Sequence, residues 1–396
     1  MAPTLKDLSI AETACPEKRL LICCARVKVQ PEIANQIRDL ASSPLDWDYL
    51  FSEAADNSLI PLLHMQLNAI AADKVPAQQM DRLKSDALAN TARSLLLTAE
   101  LIKVMGAFNA GGVGAIPFKG PVLASQAYGD IALRQFEDLD IIVRQNDLLG
   151  ANDVMTNLGY RPKFPWLLSA DAPPSLVPGD YVYIDDAREI MVELHTERSM
   201  RHFPVPPDLG AFTQSLVSVS LSGHEIKTFR AEDALAILCV HGSKHFWERL
   251  SWIVDISEMV RSRPQLDWNA TFRRAESFRA QRMLKVGLAL AGDLFGAPLP
   301  EDIHAQVMAD PVAAELSAGI EQNLLRREPQ VYRAAERFEF RRRMVPGAFA
   351  GWRYAMRLTT EPAEEDLELV RLPRALAPLY VALRPFRLLR KYGGKR

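Results

Sequence analysis

The stretch "EDLDIIV", residues 137–143, holds the residue types that point most directly to chemistry. Its apolar residues predict a buried strand, and alternate side chains of a strand share one face. Asp138 and Asp140 are therefore expected on one face, with Leu139 and Ile141 on the other. Two carboxylates held so close repel each other unless a cation lies between them, and oxygen ligands favour Mg²⁺ or Mn²⁺. The pair predicts a divalent metal site.

A later stretch, "EIMVELHTE", supplies a third carboxylate by the same rule. As a strand it places Met191, Glu193 and His195 on one face. We expect this strand to lie beside the Asp138 strand. Asp138, Asp140 and Glu193 would then converge at the sheet surface, as in sites that use two metal ions for phosphoryl transfer. His195 is expected at the rim of that site.

Upstream of the aspartate pair, a glycine turn and two basic side chains point to a bound anion. The apolar run "VGAIPF", residues 113–118, predicts a strand, and "PVLASQAY" after it is compatible with a helix. Lys119 and Gly120 form the turn between them, where free N–H groups at a helix start attract phosphate. Arg134, four residues before Asp138, offers a planar fork that binds phosphate through two nitrogens. All three residues are predicted phosphate contacts.

The polar residues after position 240 predict one long helix with a polar stripe. His241, Lys244, His245, Glu248 and Asp255 lie at i, i+3, i+4, i+7 and i+14. The two histidines also have the one-turn spacing of a pair of zinc ligands, so a zinc-dependent hydrolase is an alternative. Against it, glycine and serine follow the first histidine, where the HExxH pattern requires a glutamate.

The elements that must position these side chains fall into four parts. Residues 1–108 indicate an N-terminal helical lobe with a break near Pro76. Residues 109–228 alternate short strands with helices, including a hairpin of "YVYID" and "EIMVELHTE". Residues 229–330 indicate a C-terminal helical lobe, and 331–396 a helical tail with a basic C-terminus. The prediction is an α/β protein of the α+β type, a small mixed sheet flanked by N- and C-terminal helical lobes.

Composition and charge favour a globular cytoplasmic protein. Of 396 residues, 48% are hydrophobic and 24% charged, and the net charge of −2 gives no overall field that would attract nucleic acid. The four cysteines lack zinc-site spacing and are predicted to be reduced thiols. The N-terminal apolar run lacks a signal peptide's charge order, and no window reaches the ~20 apolar residues that span a bilayer. We therefore expect a cytoplasmic location.

Taken together, these residues resemble the polymerase-β-type nucleotidyltransferase superfamily. "FKGPVLASQAYGD", Arg134, "DLDIIV" and "VELH" are similar to the poorly characterised bacterial nucleotidyltransferase family with lysine-glycine at the turn. The similarity continues in "DWDYLFSEAADNSLIPLL", "HGSKHFWERLSWIVDISEMV" and "LYVALRP". It implies transfer of a nucleoside monophosphate from a nucleoside triphosphate (NTP) to an acceptor with release of pyrophosphate. Asp138, Asp140 and Glu193 are then the catalytic ligands of Mg²⁺ or Mn²⁺.

The resemblance also implies roles for the helix after the sheet, which in the superfamily often closes over the nucleotide. Lys244 becomes a candidate ligand of the triphosphate or the acceptor, and His241 and His245 become candidate polar contacts. One departure concerns the turn, because the superfamily has two small residues there and Lys119 replaces the first of them. The phosphate contacts are thus less closely matched than the metal ligands.

A second alternative is a binding module of the same fold without turnover. It would use Lys119, Arg134 and Lys244 to hold a nucleotide or an anionic partner, although the complete set of carboxylates argues against lost turnover. The acceptor stays open between a small molecule, a protein and RNA. The basic tail packs on the body or, as the alternative, makes weak contact with a membrane or polyanion. The residues that would make that contact are Arg384, Arg387, Arg390 and Lys391.

Overall fold

The computed structural model of the chain describes residues 14–168, 180–197, 199–370, 372 and 374–392. Helices predominate and a small mixed sheet lies in the middle third, which confirms the expected α+β class. Residues 1–13 of the predicted N-terminal lobe and 393–396 of the predicted tail lie outside the described residues. The four-part division of the chain stays a prediction. The strands are β1 Ala115–Pro117, β2 Asp138–Val143, β3 Arg161–Pro162, β4 Asp180–Asp185, β5 Ile190–His195, β6 Val217–Leu221 and β7 His224–Thr228.

Five helices precede the sheet, and local sequence signals explain where they begin. They are α1 Pro16–Cys24, α2 Pro31–Ala41, α3 Trp47–Asp56, α4 Ile60–Ile70 and α5 Ala77–Ala110. Proline lies in the first turn of α1, α2 and α4, where its missing N–H has no intrahelical partner to lose. Asp46 caps α3 by accepting a hydrogen bond from the backbone of Tyr49 at 3.0 Å. The predicted break at Pro76 is the residue before α5.

The main sheet joins five strands in the order β1-β2-β5-β4-β3. Its central pair, β2 and β5, is parallel, and the other neighbours are antiparallel. The predicted hairpin is therefore confirmed as β4 and β5. Strands β6 and β7, which the sequence pattern did not predict, form a separate hairpin. Helices α6 Gly120–Leu123, continued by a π-helical turn over Ala124–Tyr128, α7 Leu148–Asn157 and α8 Leu209–Thr213 complete this part.

One face of the sheet is closed by the long helix α5. Leu139 and Ile141 of β2 and Val192 and Leu194 of β5 are buried in the same hydrophobic cluster as an apolar stripe along α5. The buried members of that stripe are Leu97, Leu101, Val104 and Phe108. Because alternate strand residues point oppositely, this packing directs Asp138, Asp140 and Glu193 to the other face.

The helices after the sheet are α9 Ala231–Lys244, α10 Leu250–Ser262, α11 Trp268–Ser277, α12 Gln281–Phe295, α13 Glu301–Met308 and α14 Pro311–Leu325. The prediction of one long helix through His241 and Asp255 is wrong, because the chain turns between α9 and α10. Phe246 and Trp247 have positive φ angles of 57° and 56°. The buried Trp247 ring lies against Gly242, where an added Cβ would come within 2.3 Å of it. Burial of this indole against α9 thus accompanies the break.

The tail comprises α15 Ala334–Met344, α16 Ala348–Thr360, α17 Glu364–Leu369 and α18 Tyr380–Tyr392. Two basic residues of the tail, Arg384 and Arg387, point inward, and both pair with Asp366. On α16, the Tyr354 hydroxyl donates to the backbone oxygen of His202 at 2.7 Å. The tail therefore supports the segment that follows β5. Among the described residues, no helix has the length and apolar character needed to cross a membrane.

Candidate active site

The carboxylates of β2 and β5 come together on the open face of the sheet. The parallel register places Asp140 directly beside Glu193 and Asp138 beside Met191. One oxygen each from Asp140 and Glu193 and one ring nitrogen of His195 lie within 4.8 Å of one another. In the part of the chain that the structure describes, no other group of three or more His, Cys, Asp or Glu side chains is arranged in this way.

His195 lies at the centre of this cluster, so the expected position at the rim is wrong. Its ring is only 8% exposed and packs edge-on against Phe118, with ring centroids 5.3 Å apart. Nδ1 donates to Asp180 and Nε2 donates to Asp140, both at 2.8 Å. Because ionised carboxylates only accept, these two contacts favour the doubly protonated ring. Burial opposes this charge, but Asp180 and Asp140 outweigh it and raise the pKa of His195 to about 10.

Burial and mutual repulsion shift the pKa values of the carboxylates in opposite directions. Burial, with Asp140 and Asp138 adding to it, raises the pKa of Glu193 to about 7. Burial and the charge of Asp140 also raise the pKa of Asp138. Burial acts in the same sense on Asp140, but Lys119 and His195 outweigh it and depress that pKa. The cluster therefore holds more acidic groups than its own cations neutralise.

Lys119 and Gly120, the predicted turn, bring a cation to the same carboxylate. Lys119 Nζ lies 3.3 Å from Asp140 Oδ1 and over the ring of Phe118. Gly120 has a φ of +52°, in the left-handed region that favours glycine, and an added Cβ would lie 3.4 Å from the Asp138 carbonyl oxygen. Gly120 thus lets the turn pass close to β2, and the turn places Lys119 beside the cluster of Asp140, Glu193 and His195.

A small cavity opens from the cluster toward α9. Its polar lining comes from Lys119, Asp180, His195, His202, His241 and Lys244. The pKa of His202 is well below the usual value because of burial and the nearby Lys244, and its Nδ1 has no hydrogen-bond partner. Burial and the charge of Lys119 likewise depress the pKa of His241. The cavity therefore offers two lysines and two neutral imidazoles next to the carboxylates, a lining suited to an anionic group.

Arg134 and His245 do not line this cavity. Arg134 donates from Nε and Nη2 to the two carboxylate oxygens of Asp255 at 2.8 and 2.9 Å, and Tyr128 donates to the same carboxylate at 2.7 Å. Its planar fork is therefore already engaged with a carboxylate, and the phosphate contact expected of it is not supported by this geometry. His245 packs against Trp252, with ring centroids 5.0 Å apart, and burial lowers its pKa to about 3.

Two residues of the site were missed in reading the sequence. Asp180 begins β4, and the antiparallel register places it directly opposite His195. Counting back through the hairpin from its turn could have found it, because the pairing of a hairpin follows from where its turn lies. His202 is the last residue of a short 3₁₀ helix, Ser199–His202, that follows β5, and no periodic pattern in the sequence indicates its position.

The donor set fits a divalent cation at the open face of the sheet. Asp138, Asp140 and Glu193 lie on one face of two adjacent strands and would supply oxygen ligands, and a dication would neutralise the negative charge that they share. The alternative zinc pair is less complete. His241 and His245 are close, with ring centroids 4.8 Å apart, but within the described residues no third ligand joins them.

Comparison with known proteins agrees with the sequence resemblance. The model of a family described as "uncharacterised nucleotidyltransferase" matches residues 43–296. A crystal structure of an antigenic nucleotidyltransferase-like protein from Paracoccidioides brasiliensis aligns over 62% of this chain and 96% of its own, with 13% identity and a TM-score of 0.34. That likeness is too weak to carry a conclusion about the site. No curated protein matches the chain. Because the family model covers more than half of its length, the protein belongs to this nucleotidyltransferase family.

Proposed function

We propose that the protein transfers a nucleoside monophosphate from an NTP to an acceptor, with release of pyrophosphate, in a reaction that depends on Mg²⁺ or Mn²⁺. The observation that carries the proposal is the meeting of Asp140 and Glu193 on adjacent parallel strands, with Asp138 on the same face. The membership in a nucleotidyltransferase family supports it. The acceptor class is left to experiment.

Asp138, Asp140 and Glu193 are the residues that would hold the cation. When bound there, a divalent cation neutralises phosphate charge and lowers the pKa of an acceptor hydroxyl. The carboxylates set its position through β2 and β5, whose other face is buried against α5. This rigid support matters because in-line transfer needs the acceptor and the α-phosphorus aligned within a few tenths of an ångström.

The polyphosphate is proposed to lie along the basic side of the cavity. Lys119 and Lys244 line it from the turn after β1 and from the end of α9, and His241 lines the same cavity. Lys119 is paired with Asp140 in the absence of nucleotide. Phosphate oxygens would compete for its ammonium group, which sits on a flexible stem. Lys119 would then stabilise charge that develops on the departing pyrophosphate.

The test is incubation with NTPs labelled at the α-phosphate, together with Mg²⁺ or Mn²⁺ and mixtures of proteins, RNA and small metabolites as acceptors. We expect label to appear on one acceptor class and pyrophosphate to form in equal amount. The matched control is Asp140→Asn, which keeps the side-chain shape and removes the charge. Label transfer that is equally fast in this variant would overturn the proposal.

One observation favours a second candidate, a binding module without turnover. Lys119 and His195 already neutralise part of the charge of Asp140, so an anion could bind next to them with no metal present. Calorimetric titration with a nonhydrolysable NTP separates the two functions. Binding that needs Mg²⁺ or Mn²⁺ agrees with the transferase, whereas binding of equal strength in the presence of a chelator agrees with the module.

A further inference from the structure

We propose that His195 is a metal ligand beside Asp140 and Glu193, and that the site therefore prefers a first-row transition ion, with Mn²⁺ as its probe, over Mg²⁺. This inference rests on the proposed function and narrows the choice of cation. It depends on where the ring nitrogens of His195 point and on what each of them contacts.

The position of Nε2 suits a ligand that shares an ion with the two carboxylates. Nε2 lies 2.8 Å from Asp140 Oδ1 and 3.8 Å from Glu193 Oε2. The three donor atoms lie within 4.8 Å of one another. Ligands at 2.0–2.1 Å from an octahedral ion are about 3 Å apart when they occupy neighbouring positions. The distance between Nε2 and Asp140 Oδ1 therefore matches neighbouring donors around one ion, which would take the place of the proton between them, and Glu193 Oε2 would have to move closer to Nε2 to complete the set.

The other ring nitrogen is anchored by a carboxylate that has no place among the predicted ligands. Nδ1 donates to Asp180 Oδ1 at 2.8 Å, and the pairing of β4 with β5 sets these two residues directly opposite each other. Phe118 packs edge-on against the ring and restricts its rotation. Histidines that bind metal commonly give their second N–H to a carboxylate, which fixes the ring and directs the free nitrogen at the ion. Asp180 is therefore a positioning residue for His195.

The nitrogen donor changes which cation the site favours. Mg²⁺ binds oxygen ligands almost exclusively, keeps several of its waters and requires near-ideal octahedral geometry. First-row transition ions accept imidazole readily, and their affinity for nitrogen-containing sites rises along the series from Mn²⁺. With carboxylates alone the site would suit Mg²⁺. With His195 added, Mn²⁺ gains a ligand that Mg²⁺ uses poorly.

The direct test is pulsed electron paramagnetic resonance on the full-length protein with one equivalent of Mn²⁺. We expect electron spin-echo modulation from a directly bonded imidazole nitrogen, and the pattern should change when the histidines are labelled with ¹⁵N. The wild-type spectrum needs no substitution and is therefore independent of whether a variant folds. The modulation should be lost in His195→Gln and retained in His241→Gln, a control that alters another histidine of the same cavity.

The second measurement is calorimetric competition between Mn²⁺ and Mg²⁺. His195→Gln and Asp180→Asn should each lower the affinity for Mn²⁺ by about tenfold or more, in line with the effect of removing a ligand's supporting carboxylate. The affinity for Mg²⁺ should change little in both variants. Circular dichroism and a thermal melt verify that each variant is folded.

The outcomes separate this inference from the function on which it rests. If Mn²⁺ binds and Asp140→Asn abolishes its binding, but the wild-type spectrum has no nitrogen modulation, His195 is not a ligand and the inference fails while the proposed function stands. If His195→Gln leaves the Mn²⁺ affinity unchanged, the inference also fails. If the wild-type protein binds neither ion, with or without nucleotide, both proposals fail.

Discussion

Two buried aspartates show how differently this protein uses a carboxylate. Asp255 is 1% exposed and accepts three hydrogen bonds, two from Arg134 and one from Tyr128. Asp140 is 6% exposed and accepts from Lys119 and His195, but it shares its surroundings with other acidic groups. The first carboxylate has a single cation that matches its charge. The second belongs to a group of four carboxylates, Asp138, Asp140, Asp180 and Glu193, in which Lys119 and His195 make the ion-pair contacts and Lys244 and Arg201 add positive charge near Asp180.

This difference in charge balance indicates different tasks. A buried pair with matched charge contributes to the fold, and breaking it leaves an uncompensated ion in the interior. A cluster with excess negative charge destabilises the empty protein and is stabilised by a bound cation. Asp255 thus joins α10 to the segment before β2, whereas Asp140 is proposed to bind the cation. Substitution of Asp140 should therefore mainly lower activity, and substitution of Asp255 should mainly lower stability.

The largest expected effect is on turnover in Asp140→Asn. Loss of a metal ligand removes several kcal/mol of transition-state stabilisation, which corresponds to a rate at least about a thousandfold lower. The free energy of unfolding should fall by less than it does in Asp255→Asn, because relief of repulsion from Asp138 and Glu193 offsets part of the lost pairing with Lys119 and His195. Label transfer and urea unfolding measure the two quantities. Turnover within tenfold of the wild type would contradict the assigned role.

The next effect is on stability in Asp255→Asn. This variant leaves Arg134 buried without its ion partner and should lower the free energy of unfolding by about 3–5 kcal/mol. The double variant Arg134→Met with Asp255→Asn should recover part of that loss. As a matched control, Asp186→Asn breaks an exposed pair with Arg161 and should leave the free energy of unfolding nearly unchanged. Urea unfolding of the three variants and the wild type measures these differences. An equal loss of unfolding free energy in Asp255→Asn and Asp186→Asn would contradict the structural role of Asp255.

The acidic excess should also appear in the pH dependence of stability without metal. The pKa of Glu193 is raised from 4.5 to about 7 in the folded chain. Between these values the folded protein holds a proton that the unfolded chain has released, so the free energy of unfolding falls as the pH rises through this window. Glu193→Gln lacks this loss, and its advantage over the wild type should grow from pH 4.5 to pH 7. Urea unfolding in the presence of a chelator measures the free energy of unfolding of both proteins across this pH range. The same pH dependence in both proteins would contradict the repulsion proposed at Glu193.

The smallest effect concerns Lys119→Met. Removing one charge-assisted contact to phosphate should raise the KM for NTP about tenfold, with a smaller change in kcat. The control is Lys227→Met, which alters an exposed lysine of β7 away from the cavity. Steady-state kinetics with varied NTP distinguish the two. An equal KM in both variants would contradict the proposed contact between Lys119 and the polyphosphate.

The sequence was most informative where the structure depends on a short repeat. Alternation along β2 correctly put Asp138 and Asp140 on one face, because period two is a local property of the backbone. The expected position of the Glu193 strand beside β2 is also confirmed. The same parity placed His195 on that face but could not show that Asp180 lies opposite it. That pairing depends on the register of the hairpin.

Long-range packing explains the remaining differences. Arg134 and Asp255 are 121 residues apart, so the sequence around Arg134 does not indicate its partner. The helical spacing of His241 and Asp255 predicted one continuous polar stripe, but burial of Trp247 against Gly242 breaks the helix between them. Asp255 consequently belongs to α10 and pairs with Arg134, while His241 and Lys244 stay at the cavity. Tertiary packing decided both outcomes.

The central claim is that the cluster around Asp140 binds a divalent cation and that its surplus of carboxylates is the reason. The most direct measurement is calorimetric titration of Mn²⁺ into the wild type and into Asp140→Asn, each with a nonhydrolysable NTP present. We expect one saturable Mn²⁺ site in the wild type and the loss of that site in Asp140→Asn. Equal binding by both proteins, or no binding by the folded wild type, would contradict it.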